Sequence, residues 1–211
     1  DKLMTNRRII NIEQVRAKRA YAFVDKVNKG DLENIRKFGR ANIPLDVWED
    51  LSIDNDLRAI IESIGEKQDR KDGIVEFQLD IEKVSKEIRE ELGKEIYLKL
   101  LQYTPKLNKI KSEYKSGLKK FPVYVKTNGL GQTLAFIKNR NDGYDLIYRQ
   151  LVKWLKKDTE QPNENDGDLI EEVISLDSST YRQVTIEVLA FSNWMRRFVD
   201  GLMKDVEAEN G

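Results

Sequence analysis

Apolar residues recur every three or four positions along most of this chain, a period that gathers them on one side of an α-helix and leaves a wide polar face. The clearest run is the last, where Val184, Val188, Phe191, Met195, Phe198 and Leu202 form one stripe behind the capping residues Asp177 to Ser179. Near the N-terminus Ile12, Ala20, Phe23, Val24 and Val27 share a side with Arg16, and Gly30 with Asp31 closes the segment. Pro105 suits the first turn of a helix carrying Leu107, Ile110, Tyr114 and Leu118, with Lys106, Lys109, Lys111, Lys115, Lys119 and Lys120 crowding its remaining surface. Pro122 reads as its end, Val123 to Val125 as extended, and Asn128 as the N-cap of a helix bearing Leu130, Leu134 and Ile137. Tyr144, Ile147, Tyr148, Leu151 and Leu155 mark another. After a polar connector over residues 158–168, Asp168 is placed to cap a short helix with Glu171 three positions on.

Residues 31–104 read as further helical pieces, around Leu32 to Phe38, from about Asp56 to Ile64, and from about Glu76 to Leu92. Phe77, Ile81, Val84 and Ile88 in the last piece form a narrow seam suited to one partner helix. Gly65 to Gly73 reads as a solvated loop, and no hairpin signal stands out. The expected fold is therefore all-α: a helical bundle in one domain over residues 1–211, with a core at 9–30 and 105–205 and a helical insertion at about 31–104 after the first helix.

Composition removes several function classes. The chain has no cysteine and no histidine, so disulfides, thiolate metal sites, the commonest general base and the commonest transition-metal ligand are excluded. No apolar run reaches the eighteen or so residues of a membrane span, and the first residues are too polar for a secretory signal, so a cytoplasmic protein is expected. The formal net charge is +0, yet the charge is strongly segregated. Residues 1–30 hold 8 Lys/Arg against 3 Asp/Glu and residues 106–157 hold 13 against 3, while 31–104 hold 12 against 18 and 158–211 hold 4 against 13. Screening limits charge interactions to about 8–10 Å at physiological salt, so a partner responds to the local block rather than the total.

Three separated segments carry a further pattern: NIEQVRAKRAYAFV at 11–24, YVKTNGLGQTLAFIKNR at 124–140 and STYRQVTIEVLAFSNWMRRFVDGLM at 179–203. In order and joint occurrence they resemble the small helical subunit of type III-B CRISPR effector complexes, the Cmr type. The resemblance covers the first helix and about residues 105–205. It implies a non-catalytic, all-helical protein that stacks in several copies along an RNA-guided filament, beside other Cmr-type subunits and the guide RNA, and lines the channel holding target RNA. The block at 31–104 departs from the family, whose members pass more directly from the first helix to the one corresponding to residues 106–120.

A channel that accepts any sequence must grip phosphates rather than read bases, which calls for dispersed cations. The candidate RNA-binding residues are Arg16, Lys18, Arg19, Lys119, Lys126, Asn128, Gln132, Lys138, Arg140, Arg182, Asn193 and Arg196. Arg182, Asn193 and Arg196 lie opposite the apolar stripe of the last helix, and a helix start near Asn128, flanked by Lys126 and Gln132, would offer unpaired N–H groups to a phosphate. Simpler readings stand beside these. The lysines of 106–120 serve solubility in many proteins, Arg16 can pair with Glu13 or with a carboxylate of another helix, Gly129 and Gly131 suit close packing, and Trp154 and Trp194 suit core or interface anchors. The only conceivable catalytic set is carboxylate-based, for instance Asp168, Glu171 and Glu172 holding a divalent metal, and the place of these acids in a first helical turn is explained more simply by the macrodipole. No cofactor or metal is expected. The alternatives to an RNA-binding subunit are a protein adaptor that never touches RNA and a metal-dependent nuclease.

Overall fold

The structure is a computed structural model that describes residues 2–32, 40–44, 59, 63, 65–69, 75–80, 84, 89, 90, 92–156 and 168–203. Its elements, in chain order, are α1 (Lys2–Lys29), β1 (Arg40–Pro44), β2 (Gly65–Asp69), β3 (Val75–Asp80), α2 (Lys94–Leu101), α3 (Pro105–Asn128), α4 (Leu130–Ile137), α5 (Asp142–Leu155), α6 (Leu169–Ile174) and α7 (Ser178–Leu202). The chain divides into two compact units, Asp1–Asp25 with Ile110–Gly211 and Lys26–Lys109, where the sequence suggests one domain with an insertion.

The first unit is the expected helical bundle. Tyr114, Leu118, Phe121 and Val125 of α3, Leu130, Leu134 and Ile137 of α4, and Phe191, Met195 and Val199 of α7 are all buried. Full burial of one such side chain stabilises by roughly 1.5–3 kcal/mol, so these stripes dominate the folding energy. Two glycines set how closely α3 and α5 approach. A Cβ at Gly143 would lie 2.5 Å from the Glu113 Cβ and 2.6 Å from the Tyr114 nitrogen, and one at Gly117 would lie 2.7 Å from the Ile147 Cδ1. At the same interface the buried Tyr114 hydroxyl donates to the Gln150 amide oxygen at 2.6 Å, which satisfies both groups away from water.

Four expectations for this unit need correction. Pro122 does not end its helix: α3 runs through it to Asn128, because Phe121 and Val125 continue the buried stripe and offset the missing N–H. Residues 123–125 are accordingly helical rather than extended. Asn128 is the last residue of α3 rather than an N-cap; Gly129, at φ 81°, terminates α3 and caps α4 with no side-chain hydrogen bond. On α1, Ile12 is 46% exposed although it falls in the apolar stripe with the buried Ala20 and Val24. The other caps are as expected, with Asp168 accepting from the Ile170 N–H and Asp177 from those of Ser179 and Thr180.

The second unit holds the largest departure from the sequence reading. Strands β1, β3 and β2 form an antiparallel sheet in that order, with Phe77 paired to Ile43 on one side and to Lys67 on the other. The helix read from Glu76 is thus a strand over 75–80, and Gly65–Asp69 is a strand rather than loop. The pattern that decides it is Val75, Phe77 and Leu79 alternating with Glu76, Gln78 and Asp80, a period of two. Arg89, Glu90 and Leu92 are helical as read, whereas α2 has no counterpart in the sequence reading. The Leu32 to Phe38 piece lies outside the described residues beyond Leu32, and of the Asp56 to Ile64 piece only Ala59 and Ser63 are described, both helical. Val27, Ile43, Leu92, Leu100, Leu101 and Leu107 are buried in this unit, and Gly30, at φ 77°, closes α1 where a Cβ would meet the Leu107 Cδ2 at 2.8 Å.

Candidate nucleic-acid interface

The twelve candidate residues separate into those held by intramolecular partners and those left to solvent. Arg16 is held. Its guanidinium donates to both carboxylate oxygens of Glu187, from Nε at 2.9 Å and from Nη2, and to Glu13 through Nη1. Trp154 Nε1 donates to Glu187 at 3.0 Å and Trp194 Nε1 to Glu13 at 2.8 Å, so two carboxylates, one arginine and two indoles form a single network between α1, α5 and α7. Hydrogen bonding from Arg16 lowers the Glu187 pKa, that from Trp194 lowers the Glu13 pKa, and the Glu187 carboxylate raises that of Arg16. Trp154 also stacks on Phe191 with ring centroids 4.4 Å apart, in the anchoring role expected of it.

Lys138 and Lys119 have carboxylate partners as well. Lys138 Nζ donates to Asp168 at 2.7 Å, and the Tyr148 hydroxyl donates to the other oxygen of the same carboxylate at 2.6 Å. These two bonds, the lysine's first, bring the Asp168 pKa down to about 2. Lys119 lies 3.3 Å from Asp200. Arg19 sits over the Phe23 ring at 5.3 Å. Of the acids at the start of α6, Asp168 bonds Lys138 and caps the helix, and Glu172 pairs with Lys156 at 2.9 Å.

Lys18, Lys126, Arg182 and Arg196 are exposed and make no ion pair with a described residue. Arg182 and Arg196 share the polar face of α7 with the half-buried Asn193, but the arginines are fourteen positions apart, about 21 Å of helix axis, so they do not form one tight cluster. Arg140 makes no ion pair with a described carboxylate. Its guanidinium lies 4.2 Å from the Phe136 ring centroid and 4.7 Å from that of Tyr144.

The corner between α3 and α4 corrects the proposed phosphate seat. The first two N–H groups of α4, those of Leu130 and Gly131, donate to the Tyr181 hydroxyl at 2.8 and 3.2 Å, so a phenol from α7 occupies the place a phosphate would take. Gly131 acts in packing, since a Cβ there would meet the Ile174 Cγ2 at 2.9 Å. Asn128 and Gln132 line an open pocket of about 380 Å³ beside that corner, together with Tyr124, Thr133 and Phe136. Tyr124, Phe136 and Tyr181 escaped the sequence reading. A signal for two of them was present, because Tyr124, Asn128, Gln132 and Phe136 recur every four residues, with aromatics at the ends and amides between.

Lys111 is a further correction, being only 5% exposed rather than part of the solvated face of α3. Burial alone lowers its amine to a pKa of about 8. Among the described residues no group of three or more His, Cys, Asp or Glu is placed to hold a metal ion, and no helix is long and apolar enough to cross a membrane.

Apart from α1, the helices that carry the candidate residues are those on which a family match falls. The family described as CRISPR-associated protein (Cas_Cmr5) matches residues 86–202, more than half of the chain. The chain belongs to the Cas_Cmr5 family. It is therefore a subunit of Cmr-type CRISPR complexes, working with other subunits, as the sequence resemblance led one to expect. The matched stretch takes in α2 to α7, beginning earlier than the resemblance read at residue 105, and leaves α1 and the strands outside the Cas_Cmr5 match.

Proposed function

We propose that this chain is a non-catalytic small subunit of a type III-B effector complex, acting in the cytoplasm during antiviral defence. Copies of it stack along the filament, and each holds the backbone of target RNA. The observation that carries the reading is the set of exposed cations without carboxylate partners among the described residues, Lys126, Arg182 and Arg196, on the helices of the matched family region. Cations not already neutralised within the fold are the ones that release counterions when a phosphate arrives. Tyr181, next to Arg182 near the start of α7, accepts from the N–H groups of Leu130 and Gly131, four and five positions after Lys126.

The test is the salt dependence of single-stranded RNA binding. Log K should fall with log salt at a slope near −0.7 per phosphate neutralised. Arg182→Glu with Arg196→Glu should flatten the slope, and an unchanged slope would remove both residues from the site. Exposed apolar residues favour a second reading, in which the chain is an adaptor that contacts only protein: Ile186 on α7 is 63% exposed and Ile174 on α6 is 65% exposed. Under that reading Ile186→Asp abolishes assembly with the other subunits, and the arginine pair has no effect on RNA.

A further inference from the structure

The pocket beside the α3–α4 corner has features that phosphate binding does not use. Its volume of about 380 Å³ falls in the range of small-molecule sites, which begins at about 300 Å³. Two of its walls are aromatic: Tyr124 from α3 and Phe136 from α4 meet edge to face, with centroids 5.3 Å apart and an interplanar angle of 77°. Phe136 stays 46% exposed in spite of that contact. The Asn128 and Gln132 amides line the same pocket, both exposed and neither engaged by a described residue, each offering a donor pair and an acceptor. Thr133 brings no free donor, since its hydroxyl donates to the Gly129 carbonyl at 2.7 Å. Arg140 extends the same surface, lying over Phe136. Lys126 sits on α3 between Tyr124 and Asn128.

Aromatic faces, neutral hydrogen-bonding amides and flanking cations are together the recognition chemistry of an unstacked nucleobase on a polyanionic strand. A neutral or basic peptide would match the aromatics but not the charge of the segment, for residues 106–157 hold 13 Lys/Arg against 3 Asp/Glu. We infer that this pocket receives one base of a bound single-stranded RNA, splayed out against Phe136 and Tyr124 and held at its edge by Asn128 and Gln132. The inference rests on the RNA-backbone reading above and adds to it a base-dependent contact.

The test titrates the full chain, at low salt, into a short single-stranded RNA and into an abasic ribose-phosphate oligomer of the same length. Loss of the bases should weaken binding on the order of ten-fold and leave the salt slope unchanged, because stacking is independent of charge. Phe136→Ala should bind both oligomers alike, Gln132→Ala should lose part of the difference, and Phe136→Trp should keep it. A 2-aminopurine placed in the RNA should be quenched by the parent chain and by Phe136→Trp, but not by Phe136→Ala. Circular dichroism and melting of each variant separate a lost contact from a lost fold, and Gln132, exposed at the surface, gives a variant with little structural cost. Equal affinity of the parent chain for the two oligomers, with the salt slope intact, overturns the pocket and spares the backbone reading. No binding of either oligomer overturns both. If Phe136→Ala leaves the RNA titration unchanged and instead blocks association with other subunits, the pocket is a protein contact and the inference fails.

Discussion

Arg16 and Glu187 stand 171 positions apart in the chain and meet as a two-point ion pair, the arginine fork donating to both oxygens of the carboxylate. Both side chains are largely screened from solvent, so removal of either partner strands a charge in a poorly hydrated place. Arg16→Met should cost about 1–3 kcal/mol of unfolding free energy, and Arg16→Met with Glu187→Met together should cost less than the two single losses combined. Glu187 and Glu13 have folded pKa values below their ordinary ones, so their contribution is full above the unfolded carboxylate range and fades as pH falls through the lowered folded values. Urea titrations at neutral and acidic pH check this. A parent chain no more stable than Arg16→Met at neutral pH, or a gap between the two that persists unchanged in acid, would contradict it. The RNA salt slope should be the same in both proteins, since Arg16 is already neutralised within the fold.

Gly143 and Gly201 make a matched pair of glycines with opposite expectations. An added methyl at Gly143 meets backbone atoms of α3 at 2.6 and 2.8 Å, which cannot move aside without separating α3 from α5. Gly143→Ala should destabilise by about 1–3 kcal/mol. Gly201 lies near the end of α7 with nothing within 4 Å of its built Cβ, so Gly201→Ala should stabilise by up to about 1 kcal/mol through helix propensity. Melting temperatures that move the same way in both variants would count against the close α3–α5 approach.

The bundle was legible where one period ran uninterrupted. The α7 stripe and its Asp177 cap, the α5 stripe and the Asp168 cap could all be read because local chemistry and tertiary burial agree there. Pro122 shows the reverse, since a local helix breaker is overruled by buried neighbours that only the folded chain reveals. At Val75–Asp80 two periods competed in the same residues, and the seam through Phe77 and Ile81 concealed the alternation that forms β3. The candidate site was legible in residue type and not in commitment. Composition marks Arg16, Lys119 and Lys138 as cations just as it marks Lys126 and Arg182, but their partners Glu187, Asp200 and Asp168 are brought to them only by folding.

Tyr181 serves α4 through a single oxygen that accepts from two backbone N–H groups. Tyr181→Phe retains the ring and removes that acceptor, leaving two helix-start donors with only water to bond. The expected cost is about 1–2 kcal/mol, with amide hydrogen exchange at Leu130 and Gly131 quickened selectively. Exchange unchanged at both amides would show that the phenol does not cap α4.

Lys111 gives the clearest pH signature in the molecule. Its folded pKa of about 8 lies below the 10.5 of an ordinary lysine, so between those values the unfolded chain binds the proton and the folded chain does not. Unfolding free energy from this group therefore rises with pH across that window, and below pH 8 the folded state carries the full cost of a poorly hydrated ammonium, at most about 3 kcal/mol. Lys111→Met keeps the packed stem and discards the charge. The variant should be more stable than the parent by about 1–3 kcal/mol at pH 7, and the gap should close as pH approaches 10. Denaturant midpoints for both proteins at pH 7, 8.5 and 10 decide the matter, and a gap of constant size across that range would mean that the Lys111 ammonium is hydrated in the folded chain.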